Sequence, residues 1–207
     1  FMIGAVGIGM LGSPEAGRII AVSHYTASLL MGLIFRFYNP TTAKRSNRLQ
    51  PNRFHEKTNF KTALQMLLSA RQKDNRTLGE LIGDAIRHSM NTLFYIGGFI
   101  MLFSVIINIL IRIGFIDGLS KILALMLLPL GLKTDLLKGV ASGLFEMTIG
   151  CKLTSQATAP LFQKILVNSF IISWSGFSIH SQVAGLISKA NISISMYLIA
   201  KSFHGVL

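Results

Sequence analysis

The chain has 207 residues, of which 51% are hydrophobic and only 14% are charged, and its mean hydropathy is +0.55. Soluble domains carry about 25% charged residues, so this composition excludes an ordinary soluble protein and indicates an integral membrane protein. The formal charge of +12 is concentrated in one segment, which argues against a nucleic-acid-binding protein.

The chain begins with a glycine-rich apolar stretch, "FMIGAVGIGMLG", that does not resemble a signal peptide. We interpret it as part of a membrane helix and expect the N-terminal part of a longer protein to be missing. The next segment, "GSPEAGR", predicts a helix with Ser13 as the N-cap and Pro14 in the first turn, running to about Tyr38. A break between two apolar stretches is typical of a discontinuous membrane helix.

Three long uncharged runs predict at least three membrane-spanning helices, because a span needs about 20 apolar residues. They are Ile19–Phe35, Leu93–Ile111 and Ile165–Ser188. Two shorter apolar runs, Ile122–Leu132 and Ala190–Ala200, suit packed or re-entrant helices better.

Residues 39–76 carry most of the excess positive charge, with nine Lys or Arg and two acidic residues, a net of +7. Such an excess beside membrane spans predicts a cytoplasmic loop near anionic lipid. After it, the "TLGE" capping box and apolar residues at helical spacing predict an amphipathic interfacial helix over residues 77–92.

Residues 136–160 predict a broken-helix hairpin that contains the buried acid Glu146. Gly139, Gly143, Glu146 and Gly150 would share one stripe of a helix that runs from Leu136 to Cys151. A glycine stripe marks a packed face, so Glu146 is expected to point into protein. The polar stretch "CKLTSQATAP" that follows is the first candidate for a substrate cavity, because irregular backbone at membrane depth must be buried or line a cavity.

The long run 165–188, taken as one helix, has a polar side that includes Asn168, Ser175 and Gln182 at intervals of seven. Ser178 and His180 lie beside this stripe. Interhelical hydrogen bonding and the lining of a polar path both explain it, and both readings stay open. No His or acid stands at metal-ligand spacing near His180, so no metal is predicted.

Charged residues near the helix breaks give further candidates. Glu15 either complements the helix dipole or acts with Glu146 as a proton or cation site. Arg18 and Lys152 are placed to help helix N-terminal amides hold an anionic substrate.

Four segments together resemble the sporulation integral membrane protein family of the YlbJ/SpoVV type: "LGSPEAGRIIAVSHYTASLLMGLIFRFY", "LGELIGDAIRHSMNTLFYIGGFIMLFSVI", "GLFEMTIGCKLTS" and "SGFSIHSQV". That family carries the nucleoside-recognition Gate domain and is distantly similar to concentrative nucleoside transporters. The resemblance implies an all-α, polytopic helical bundle with helical hairpins, a single Gate-type membrane unit over residues 1–207. The Gate signature then falls on Gly143, Glu146, Thr148 and Gly150.

The resemblance implies transport of dipicolinate across the outer forespore membrane during endospore formation. Transport of another small solute, such as a nucleoside, and a non-transporting membrane scaffold are the alternatives. No catalytic motif is present, so an enzyme is not expected. The expected partners are a small organic anion and the lipid bilayer, with no cofactor and no nucleic acid, and homo-oligomerisation stays open.

Overall fold

A computed structural model of the chain describes residues 1–37, 60–74, 76–187 and 193–206. The chain, predicted as a single unit, divides into two compact units. The first unit contains residues 1–38 and 94–207, and the second contains residues 39–93. Most of the predicted basic loop, residues 39–59, lies outside the described residues.

The described residues are predominantly helical, which confirms the predicted all-α membrane bundle. A π-helix covers Met2–Met10. The α-helices, in chain order, are α1 (Pro14–Arg36), α2 (Phe60–Lys73), α3 (Leu78–Arg112), α4 (Phe115–Leu127), α5 (Thr134–Phe145), α6 (Met147–Gln156), α7 (Leu161–Trp174), α8 (Gly176–Ile187) and α9 (Ile194–Val206).

Three of these stretches are long and apolar enough to cross a bilayer, in agreement with the three predicted spans. They are Pro14–Arg36, Leu78–Arg112 and Leu161–Ile187, the last made of α7 and α8. The large apolar side chains of α3 are mostly exposed, with Phe94 at 72% and Met101 at 67%. An apolar surface of this kind is stable against lipid and unstable against water.

The start of α1 is built as the sequence predicts. The hydroxyl of Ser13 accepts a hydrogen bond from the Ala16 N–H at 3.2 Å, and Pro14 occupies the first helical position. Before this cap, Gly12 turns the chain with φ of +64°. The π-helix then folds back on α1 so closely that a Cβ atom at Gly7 would lie 2.8 Å from the backbone nitrogen of Gly17.

The second unit contains α2 and the first part of α3. Part of the segment predicted as a loop is thus a helix, Phe60–Lys73. This stretch contains no Gly or Pro that would interrupt a helix. The capping box is present: the Thr77 N–H donates to the Glu80 carboxylate at 2.6 Å. Just before it, Arg76 pairs with Asp74 at 2.7 Å, and this hydrogen-bonded guanidinium lowers the pKa of Asp74 to about 2.

The main core of the first unit lies where α1, α5, α6 and α7 meet the π-helix. Its buried side chains are Val6, Ile20, Leu136, Val140, Cys151, Val167, Ile171 and Ile172. Lipid tails are as apolar as these side chains, so close packing rather than transfer from water holds such helices together. Small residues at the contacts therefore matter more than bulk hydrophobicity.

Candidate functional site

A helix break at Glu146 separates α5 from α6. The sequence predicted an unbroken helix to Cys151, and this prediction is wrong: the backbone of Glu146 is extended, with φ of −140° and ψ of 119°. The side chain is only 4% exposed. Its two carboxylate oxygens accept hydrogen bonds from the N–H groups of Thr148 at 3.0 Å and Ile149 at 2.7 Å. Glu146 thus caps α6, and its own charge complements the helix dipole.

The glycines of the predicted stripe hold α5 and α6 together as a tight hairpin. A Cβ atom at Gly150 would overlap the backbone of Gly143, and a Cβ atom at Gly139 would lie 2.8 Å from the backbone nitrogen of Thr154. The stripe is therefore a packed face, as predicted, but its partner is the other half of the same hairpin. The polar stretch predicted as irregular is helical as far as Gln156, and only residues 157–160 are non-helical before α7 begins after Pro160, as predicted. The break at Glu146 is an additional one that the sequence did not predict.

A second helix break lies at Ser175 and Gly176, inside the run predicted as one helix. Both residues are left-handed, with φ of +77° and +75°. Helix α7 ends at Trp174 and α8 starts at Gly176. Hydrophobic periodicity did not show this break, because the large apolar residues Trp174 and Phe177 flank it directly.

The two breaks lie against each other. A Cβ atom at Gly176 would be 3.0 Å from the carbonyl oxygens of both Gly143 and Phe145. The Trp174 indole N–H donates to the Leu144 carbonyl at 3.4 Å. The rings of Phe145 and Phe177 pack with their centroids 5.7 Å apart. The end of α5 and the α7–α8 break therefore form one packed junction.

Three predicted polar residues, Ser178, His180 and Gln182, follow this junction on α8 and are buried, at 2%, 6% and 7% exposure. The Gln182 amide donates to the Ser178 hydroxyl at 3.4 Å. The His180 Nδ1 shares a hydrogen bond with the Tyr197 hydroxyl at 3.1 Å. This side of α8 therefore faces protein and not lipid.

The other predicted site residues do not join the junction. Thr148 and Gly150 belong to α6 beside Glu146, but Lys152 is exposed. Ser13 is occupied as the cap of α1, while Glu15 and Arg18 are exposed. Among the described residues, neither Glu15 nor Glu146 forms an ion pair. The structure therefore gives no contact for the predicted pairing of these two acids.

Two lysines that the sequence did not single out bind the C-terminal ends of broken helices. Lys164 donates to the Ser155 carbonyl at the end of α6 at 2.8 Å, and Lys201 donates to the Ser173 carbonyl at the end of α7 at 3.0 Å. A cation is favourable there because the last carbonyls of a helix are unpaired and carry partial negative charge. Lys201 had a recognisable signal: Tyr197, Lys201 and His204 stand at i, i+4 and i+7.

Three polar side chains in the hairpin and α7 are fully buried without a hydrogen-bond partner among the described residues. They are Ser142, Thr154 and Asn168, the last with both its amide nitrogen and its oxygen unpaired. Buried polar groups without partners are rare and costly, and they suit a place where water or a solute enters. Among the described residues, no group of three or more His, Cys, Asp or Glu side chains could hold a metal ion.

Comparison with known proteins gives one clear relative. The chain is 37% identical over 206 residues to the sporulation integral membrane protein YlbJ of Bacillus subtilis (strain 168). The match covers 100% of this chain and 50% of that protein, so the chain spans about half the length of its relative. No protein-family model and no solved structure matches the chain. The resemblance to the YlbJ type is thus confirmed, whereas the Gate domain and the likeness to nucleoside transporters stay predictions.

Proposed function

Because this chain is homologous to the sporulation integral membrane protein YlbJ, we propose that it acts in endospore formation as a membrane transporter of a small organic anion. The proposed substrate is dipicolinate, and the proposed location is the outer forespore membrane. The homology supports a membrane role in sporulation. The substrate and the reaction are our inference.

The observation that carries a transport function is the junction of the two helix breaks. Helices α5 and α7 both end there, and the α7–α8 break lies against the last residues of α5. A broken helix exposes unpaired backbone groups, and membrane proteins retain such breaks where solutes or ions bind. A scaffold protein needs membrane spans, but it does not need two facing breaks.

Glu146 is the residue in this junction whose charge is proposed to serve transport. A carboxylate at membrane depth is costly and marks a functional position by default. In the structure its oxygens bind the first amides of α6, so the anion-binding end of that helix is already occupied. We therefore assign Glu146 to controlling the opening of the hairpin or to binding a proton. The substrate carboxylate is not placed at this helix end.

The test is dipicolinate loading of spores by the full-length protein with Glu146→Asp or Glu146→Ser. Asp keeps both the charge and the helix cap, whereas Ser keeps the cap and removes the charge. Gln is a poorer choice, because its single carbonyl oxygen cannot accept both N–H groups as Glu146 does.

If the charge serves transport, Glu146→Ser leaves dipicolinate in the mother cell while Glu146→Asp retains loading. Membrane abundance is measured in the same cells, so that loss of protein is separated from loss of transport. Normal loading by Glu146→Ser would show that the residue only caps α6. If the protein loads spores with a nucleoside instead of dipicolinate, the proposed substrate is wrong, but the proposed reaction, transport, stands.

A further inference from the structure

A stripe of polar residues on α9 faces the bundle, where it contacts His180 and the end of α7 beside the junction. We name Tyr197, Lys201 and His204 the α9 stripe. Tyr197 and Lys201 are half-buried, and His204 is only 7% exposed. A Cβ atom at Gly205, which follows the stripe, would lie 3.5 Å from the ring of Phe170. Helix α9 therefore packs on α7 at ordinary van der Waals distance at this position.

The lower part of the stripe contacts α1 and the end of α7. The rings of His204 and His24 lie 4.6 Å apart. The His204 Nε2 donates to the His24 backbone carbonyl at 3.2 Å and lies 3.3 Å from the Ser28 hydroxyl. The His24 Nδ1 shares a hydrogen bond with the Ser173 hydroxyl at 3.2 Å. Lys201 binds the Ser173 carbonyl, so Ser173 lies between Lys201 and His24.

The upper part of the stripe contacts an aromatic cluster. The Tyr197 hydroxyl binds the His180 Nδ1, and the ring of His180 packs edge-on against Trp174 with centroids 4.6 Å apart. The His180 Nε2 is buried and has no hydrogen-bond partner among the described residues. Buried polar atoms normally have a hydrogen-bond partner, so this nitrogen is free to bind a ligand.

The charge of this region is unbalanced. Lys201 lies close enough to act electrostatically on His24, His180 and His204, all of which are bases. Among the described residues, the ion pairs are Arg76 with Asp74 and Asp84, and Lys138 with Asp117, so no carboxylate pairs with Lys201. A helix C-terminus supplies only a fraction of a negative charge. A half-buried ammonium in a membrane protein is normally paired.

We propose that Lys201 and His180 form an anion site that binds the carboxylate of a small aromatic acid. The proposal rests on the proposed function and places the substrate carboxylate away from Glu146. Two of the three Lys201 protons remain available for the ligand, since one is used by Ser173. The edge of Trp174 and the ring of Tyr197 offer the apolar surface that an aromatic acid needs.

The alternative is that Lys201 only caps α7, and the chain contains a matched control for it. Lys164 caps the end of α6 in the same way, through the Ser155 carbonyl, and is not part of the α9 stripe. Lys164→Met therefore removes a cap without touching the α9 stripe. Lys201→Met removes both the cap and the proposed anion partner, while Lys201→Arg keeps a cation.

The experiment measures dipicolinate binding to the purified full-length protein in nanodiscs of zwitterionic lipid. We expect Lys201→Met to weaken binding about tenfold or more, with Lys201→Arg and Lys164→Met close to the unchanged protein. Dipicolinate should also raise the unfolding temperature of the unchanged protein and not that of Lys201→Met. Equal binding by Lys201→Met and Lys164→Met would overturn the proposal.

Two further arms keep the test decisive. If Lys201→Met is absent from membranes, His180→Phe keeps a ring against Trp174 and removes both ring nitrogens, including the Nδ1 bonded to Tyr197. Unchanged binding by that variant overturns the proposal. The second arm repeats the measurement in nanodiscs that contain phosphatidylglycerol. If this lipid abolishes dipicolinate binding and itself binds through Lys201, the ligand is a lipid phosphate and the carboxylate site is wrong. If the Lys201 variants bind dipicolinate normally while spores still load it, the anion site is wrong but the transport proposal stands. If the unchanged protein moves no dipicolinate, the transport proposal itself is wrong.

Discussion

Gly176 lies against the carbonyl oxygen of Phe145, so that the backbone of one helix break contacts the last residue before the other. A Cβ atom at Gly176 would be 3.0 Å from that oxygen and equally close to the carbonyl oxygen of Gly143. A Cβ atom at Gly176 would fit only if these carbonyl groups shifted by a few tenths of an ångström. The contact also implies that a movement of the α5–α6 hairpin must displace the α7–α8 break.

The first prediction concerns the two left-handed residues of this junction. Gly176→Ala should lower the free energy of unfolding by about 1–3 kcal/mol, because a Cβ atom is both strained at a positive φ and too close to Gly143 and Phe145. Ser175→Gly should change it by less than about 1 kcal/mol, since relief of strain offsets the lost hydroxyl bond to Ile172. Thermal unfolding in detergent compares the two, and equal effects would contradict the described junction.

The second prediction concerns the hairpin of α5 and α6. Gly150→Ala would force a methyl group into Gly143 and should cost about 1–3 kcal/mol of unfolding free energy. Gly98→Ala in α3 is the control, because nothing lies within 4 Å of its Cβ position. That change should be neutral or stabilising by about 0.5–1 kcal/mol, as Ala favours a helix over Gly. A neutral Gly150→Ala would mean that the hairpin is not closed.

The third prediction separates the capping role of Glu146 from its charge. Glu146→Ala removes both acceptors of the Thr148 and Ile149 N–H groups and should lower the unfolding free energy by about 0.5–2 kcal/mol. Glu146→Ser should recover most of this loss, because a hydroxyl also accepts at an N-cap. Unfolding midpoints of the variants, measured at one pH, test the expectation. No recovery by Ser would show that the charge itself holds the hairpin.

The fourth prediction is a pH dependence in the second unit. Arg76 lowers the pKa of Asp74 from 3.8 to about 2. A lowered pKa means that the pair contributes to stability above pH 3.8 and that this contribution is lost as the pH falls through about 2. Hydrogen exchange of the Arg76 N–H, which donates to Asp74 at 3.3 Å, should stay protected at pH 4 and lose protection near pH 2. Asp74→Asn should show no such step.

Much of the fold was predictable because apolar runs, caps and charge clusters are local signals. The three spans, the Ser13 cap and the capping box at Thr77 all follow from residues close in sequence. The position of the helix breaks did not follow. Helix α5 ends at Glu146 because the Glu146 side chain binds the first amides of α6. The spacing of apolar residues cannot show that a side chain binds the neighbouring backbone.

The site was predictable only in part, because it depends on contacts between distant segments. Glu146 and His180 stood out as polar residues in apolar surroundings, and both are buried. The meeting of the two breaks links residues about 30 positions apart, and His24 meets His204 across 180 positions. Contacts between distant segments cannot be read from one sequence, so the spacing of Tyr197, Lys201 and His204 on one helix face did not reveal what that face touches.

Dipicolinate flux into liposomes that contain the purified full-length protein tests the central claim most directly. The account predicts time-dependent accumulation above that of empty liposomes, with Glu146→Asp active and Glu146→Ser reduced about tenfold or more. Protein that is folded, inserted and stable but moves no dipicolinate in either direction would contradict it. In that case the two facing helix breaks would have a role other than carrying this anion.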